Sequence, residues 1–148
     1  MASKKRELFV DAPAHITYGL ARAAGSEIGS FRLVIDNPTA GFAKFSRGFG
    51  LTNPMDVIVT VTPVDEQRCS VVYEASILAL VDPFGFLGGA LDVFSAHLEN
   101  HRQAWATGTP PPAAPKDKRP LVVTLGCLGL VLGGTAVMLL VIVVLSLL

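Results

Sequence analysis

Residues 55–62 read Met-Asp-Val-Ile-Val-Thr-Val-Thr, and this stretch decides the fold. Val57, Val59 and Val61 fall on one face, and Ile58, Thr60 and Thr62 on the other. Strict alternation in β-branched residues is the mark of a strand with one face turned to a core. Pro63 and Asp65-Glu66 turn the chain, and residues 70–77 alternate again, with Val71, Tyr73, Ala75 and Ile77 opposed to Ser70, Val72, Glu74 and Ser76. Upstream, Phe42 to Arg47 reads as a hairpin strand with Ala43 and Phe45 on one face. Phe31, Leu33 and Ile35 mark another strand, closed by the turn residues Asp36-Asn37-Pro38. Glu7 to Val10 reads as a short first strand.

Two segments follow a helical period instead. Ile16, Leu20, Ala24 and Ile28 are spaced by four and form one stripe, with Asp11 as N-cap, Pro13 in the first turn, and Gly25 and Gly29 as stop signals. Asp82-Pro83 opens a second, longer helix. Its stripe is Leu87, Leu91, Phe94, Leu98 and Trp105, with position 101 as the gap. The order strand, helix, four strands, helix predicts an α+β fold: an antiparallel sheet of about five strands with two helices on one face.

Beyond this domain the composition changes. Pro110, Pro111, Pro112 and Pro115 favour a semi-rigid polyproline spacer. Leu121 to Leu148 then runs 28 residues without a charged side chain. As a helix it would reach roughly 42 Å, against about 30 Å for a bilayer's hydrocarbon core. The expected organisation is a basic N-terminal tail at 1–6, an α+β domain at 7–106, a proline-rich linker at 107–119 and a transmembrane helix at 120–148. Lys116, Lys118 and Arg119 precede the span, which predicts a cell-membrane protein anchored by its tail, with a cytoplasmic N-terminal domain. Up to Thr107 the chain carries 9 Lys+Arg and 11 Asp+Glu, so it lacks the basic footprint of a nucleic-acid binder. Two cysteines, one in the domain and one in the span, make no disulfide framework.

The segment Glu7-Leu-Phe-Val-Asp-Ala-Pro-Ala, leading into a helix, resembles the opening of helix-grip proteins of the START/polyketide-cyclase superfamily. The closing helix from Leu87 to Trp105 is similar to the long helix that the sheet of that family grips. The resemblance covers residues 7–106, in a version with fewer elements than is usual there. It implies the helix-grip fold and a family that binds lipids and other apolar molecules, some members being enzymes.

Candidate chemistry is sparse. His97-Leu98-Glu99-Asn100-His101 places two imidazoles at i and i+4, a spacing that transition metals use. The glutamate is one position too late for the metalloprotease pattern, and no third ligand is near in sequence. The pair therefore reads as partly solvated beside the apolar stripe. Phe84-Gly85-Phe86-Leu87-Gly88-Gly89 is glycine-rich at a helix start but matches no phosphate-binding fingerprint, so close packing explains it better. Arg47-Gly48-Phe49-Gly50 is a loop whose Phe49 dips into a membrane or partner, or packs inward. Cys69 reads as a small core residue. In the uncharged run, Gly126, Gly129, Gly133 and Ala136 make one small-residue face suited to helix packing in lipid.

With no readable catalytic constellation, the sequence predicts a non-enzymatic interaction module. It would be an accessory subunit of a membrane complex, or a homo-oligomer joined through the tail, with no cofactor. The alternative is a membrane-tethered module that binds a lipid or other apolar ligand.

Overall fold

In chain order the elements are β1 (Ala2–Val10), α1 (Ala14–Glu27), β2 (Phe31–Asn37), β3 (Phe42–Phe49), β4 (Thr52–Pro63), β5 (Cys69–Ile77) and α2 (Phe86–Thr107). The computed structural model describes residues 1–49, 52–78, 82 and 85–113, with backbone alone at 48, 49, 52 and 53. The chain divides into a unit at 1–117 and a unit at 118–148. The second unit lies outside the described residues, and with it the expected anchor at 120–148 and its face of Gly126, Gly129, Gly133 and Ala136. Among the described residues no helix is long and apolar enough to cross a membrane.

The sheet has five antiparallel strands in the order β1-β5-β4-β3-β2. The α+β expectation holds. Val57, Val59 and Val61 lie inward as their alternation requires, beside Val71, Tyr73 and Ala75 on β5 and Ala43 and Phe45 on β3. The β1 strand starts inside the basic stretch, because β5 offers a pairing partner for all nine of its residues. Arg6 then reaches α2 and pairs with Asp92 at 2.7 Å. Lysines on such an edge strand also discourage pairing with another sheet.

At the other edge, the register of β2 shifts between Leu33 and Ile35. This bulge turns Ile35 out to solvent, which corrects the face expected from simple alternation.

Both helices cover the inner face of the sheet. The buried residues of α1 are Thr17, Tyr18, Ala21, Ala24 and Gly25, so its contact face is rotated from the Ile16-Leu20 stripe. Small residues explain the rotation. A Cβ on Gly25 would lie 2.3 Å from the Phe45 ring, so the helix can sit this close only on glycine. Gly25 is therefore a packing position within α1 and does not end it. Asp11 is no cap either: its carboxylate faces Arg68 at 3.7 Å, and Pro13 takes the N-cap position.

In α2 the buried face continues through His97 and His101 to Ala104, and Trp105 is half-exposed. A straight helix of 3.6 residues per turn drifts off a heptad stripe over this length. Asp82 does start α2 as expected: its carboxylate accepts the Phe86 and Leu87 N–H groups at 2.8 and 2.9 Å.

Under the helices four rings form a chain of contacts. Phe31 lies 6.2 Å from Phe45, Phe45 lies 6.5 Å from Phe94, and Phe94 lies 5.2 Å from Tyr73, centroid to centroid. Tilted contacts of this kind are worth about 0.5–1.5 kcal/mol each beyond area burial.

Candidate functional site

The inner face of α2 carries its two histidines one turn apart, which puts both rings on the side that meets α1. The rings stand perpendicular, at 87°, with centroids 4.7 Å apart. The end of α1 completes the group. Ile28 leaves the helical conformation and is buried, and the preceding residue, Glu27, reaches α2. One carboxylate oxygen, Glu27 Oε2, lies 3.2 Å from His97 Nε2 and 3.1 Å from His101 Nε2. His97 is 0 % exposed and His101 6 %, whereas 49 % of the Glu27 side chain is open to solvent. The cluster therefore has two dry sides and one wet side.

An ionised carboxylate only accepts hydrogen bonds, so with protons alone both Nε2–H groups donate to it. Burial lowers the His97 pKa below its ordinary value. The hydrogen bond to Glu27 works against this, and the neighbouring His101 adds to it. His97 Nδ1 is buried without a hydrogen-bond partner. An orphaned polar atom of this kind costs about 1–3 kcal/mol, and buried histidines ordinarily avoid it. Among the described residues the ring's one hydrogen-bond partner is thus the shared carboxylate. Glu27, His97 and His101 each present a donor atom within 4.8 Å of the others, a set able to hold a metal ion together.

A second polar cluster lies on the same helix. Tyr18 donates to Asp36 Oδ1 at 2.5 Å and approaches the Phe42 carbonyl at 3.2 Å, and Arg22 Nε donates to Asp36 Oδ2 at 2.6 Å. Burial first, then the Asp36 hydrogen bond and charge, push the Tyr18 pKa up to about 12. The Tyr18 and Arg22 hydrogen bonds hold the Asp36 carboxyl below the usual range. This cluster ties α1 to the far end of β2.

No protein-family profile matches the chain, and no curated protein sequence matches it. Solved structures do share its fold. XoxI from Bacillus cereus is 14 % identical, with a TM-score of 0.54 over 72 % of this chain and 96 % of that one. DynU16, of the dynemicin biosynthetic locus, is 15 % identical, with a TM-score of 0.53 over 73 % of this chain and 48 % of that one. The di-domain aromatase/cyclase BexL is 18 % identical, with a TM-score of 0.48; the match covers 70 % of this chain and 45 % of BexL. The domain resembles the START/polyketide-cyclase helix-grip fold.

At these identities the likeness is one of fold. It corrects the expectation of a non-enzymatic membrane accessory module this far: what the solved structures share with this chain is the fold of the 1–113 domain, and among the described residues no helix is long and apolar enough to cross a membrane, the run expected to do so lying outside them.

Of the residues singled out in the sequence, His97 and His101 come together, and they are buried where partial solvation was expected. The physical reason is that position 101 is part of the inner face of α2 and no gap in it. Sequence reasoning missed Glu27, which is 70 and 74 residues away from its partners. One local signal existed: an acidic residue in a helix's last turn opposes the macrodipole, so a partner from elsewhere is to be sought. The glycine-rich helix start holds no spare cradle, since Asp82 already takes the Phe86 and Leu87 N–H groups. Cys69 is a buried core residue. Arg47 is buried, whereas the Phe49 side chain, Gly50 and Phe84 lie outside the described residues.

Proposed function

We propose that this domain is an enzyme that moves protons on a small polar substrate admitted beside Glu27. In this reading Glu27 is the catalytic residue, and His97 and His101 are positioning residues that hold its carboxylate. The observation that carries it is the convergence of two buried imidazoles, at 3.1 and 3.2 Å, on one oxygen of a solvent-facing carboxylate. Two hydrogen bonds from a rigid helix fix that group, and a fixed acid–base group contributes about 10²–10⁴-fold to a proton transfer. The half-exposed Glu27 carboxylate places the substrate at the helix seam.

The test is deuterium exchange at carbon next to a carbonyl, followed by NMR across a panel of small ketones and thioesters in heavy water. The wild type should accelerate exchange over buffer for at least one of them. Glu27→Gln should lose about a hundredfold or more of that acceleration. Equal exchange by both proteins, or none above buffer, would remove the proposal.

A further inference from the structure

We infer that Glu27 Oε2, His97 Nε2 and His101 Nε2 bind a divalent first-row transition metal, zinc being the reference ion, and leave one position open toward solvent. The inference rests on the reading of the helix seam as the working centre; with the ion bound, the two Nε2–H hydrogen bonds give way to bonds to the ion, and Glu27 Oε1 is the oxygen left to take a proton.

Four observations point the same way. The donor set is two imidazoles and one carboxylate, which such ions prefer over an all-oxygen cage. The spacing fits: at about 2.0–2.1 Å from a tetrahedral ion, donor atoms lie about 3.3 Å from one another. The two oxygen–nitrogen separations are already 3.1 and 3.2 Å, and all three donors lie within 4.8 Å, so a small inward turn of the rings closes the set.

The remaining two concern placement. His97 is completely buried and aims Nε2 at the shared carboxylate oxygen. Glu27 also sits in the last turn of α1, where the helix dipole disfavours a negative charge. A cation beside it reverses that penalty.

Three protein ligands with the fourth position facing water is the arrangement of catalytic zinc rather than structural zinc. The bound ion would hold a water whose proton is lost near neutral pH.

The test uses the full-length protein, stripped with a chelator and returned to buffer. Zinc content is measured after dialysis, and affinity by competition with a chromophoric chelator. Cobalt(II) is the second probe, because its visible bands are intense only at low coordination number. The inference expects one equivalent of zinc, a dissociation constant tighter than about 1 μM, and strong cobalt bands. Glu27→Gln and His101→Gln should each loosen zinc by about a hundredfold or more, while His15→Ala leaves it unchanged.

His97→Gln is left out because a fully buried site risks misfolding. The two variants used are checked for native circular dichroism, and Glu27→Gln, at a half-exposed position, serves as the deciding variant. Absence of stoichiometric metal, or zinc bound equally well by Glu27→Gln, would overturn the inference. If no metal binds but Glu27→Gln abolishes carbon-acid exchange, the proton-transfer reading stands and the metal falls. If metal binds and exchange is indifferent to Glu27, the reverse holds.

Discussion

Helix α1 is fastened by a carboxylate at each of two places, and the two fastenings are built from different partners. Toward its start, Asp36 meets the Tyr18 hydroxyl and the Arg22 guanidinium. Arginine is always charged and tyrosine keeps its proton at neutral pH, so this carboxylate is permanently satisfied. At its end, Glu27 meets two imidazoles, one of them completely buried and held toward its neutral form. Neutral imidazoles can give up an N–H proton position to an ion or pass a proton on. The first cluster is a clamp, and the second is a centre whose partner can change. Both use a carboxylate that accepts hydrogen bonds, at 2.5 and 2.6 Å in the first cluster and at 3.1 and 3.2 Å in the second, and the chemistry of the donors separates them further.

The largest expected effect comes from striking both at once. Gly25 lies between the two clusters, and a Cβ there would lie 2.3 Å from the fully buried Phe45 ring. Replacing glycine in a helix ordinarily gains up to about 1 kcal/mol. Gly25→Val should nevertheless lose about 3 kcal/mol in urea unfolding, because overpacking of a tight core outweighs propensity. An unchanged midpoint would mean that α1 does not press on the sheet as described, and the comparison of its two fastenings would lose its frame.

Next in size is the clamp itself. Tyr18→Phe removes a hydrogen bond to a charged acceptor and should cost about 1–2 kcal/mol by urea unfolding, with zinc affinity and proton exchange at wild-type levels. Loss of metal or exchange in Tyr18→Phe would merge the two clusters into one site.

The clamp also has a pH signature. The Tyr18 pKa is raised from 10.0 to about 12 in the folded state. A raised pKa means that the protonated form is favoured by folding. Its contribution is fully present below pH 10 and drains away as pH rises from 10 toward 12. Thermal melting across that window should fall more steeply for the wild type than for Tyr18→Phe. Parallel curves would show that Tyr18 is not held as the structure has it.

Much of the fold was legible because it rests on local periods. The alternation at Val57-Val59-Val61 and Val71-Tyr73-Ala75 placed the central strands, and Asp82 announced the start of α2. What was misread depends on partners distant in sequence. Ile35 reads as inward until the β2 bulge is seen, and Gly25 reads as a stop until Phe45 is seen beneath it. The candidate site was half legible. Spacing brought His97 and His101 to one face, but a ligand arriving from another helix leaves no mark at i+3 or i+4. Glu27 carried only its awkward place at a helix end.

That awkward place makes the smallest stability effect the most discriminating. In metal-free protein, Glu27→Gln loses a charged acceptor for two imidazoles, but the carboxylate is half-exposed, and exposed charge interactions are worth about 0–1 kcal/mol. The same change removes a negative charge from a helix C-terminus, which returns about 0.3–1 kcal/mol. The two terms oppose, so the unfolding free energy should move by less than about 1 kcal/mol in either direction. A structural carboxylate would show a clear loss here, comparable to that of Tyr18→Phe. A functional one is kept against local preference for what it binds. Added zinc should therefore raise the wild-type melting temperature and leave that of Glu27→Gln where it was. A large stability loss in Glu27→Gln without added metal would place Glu27 beside Asp36 as a second clamp.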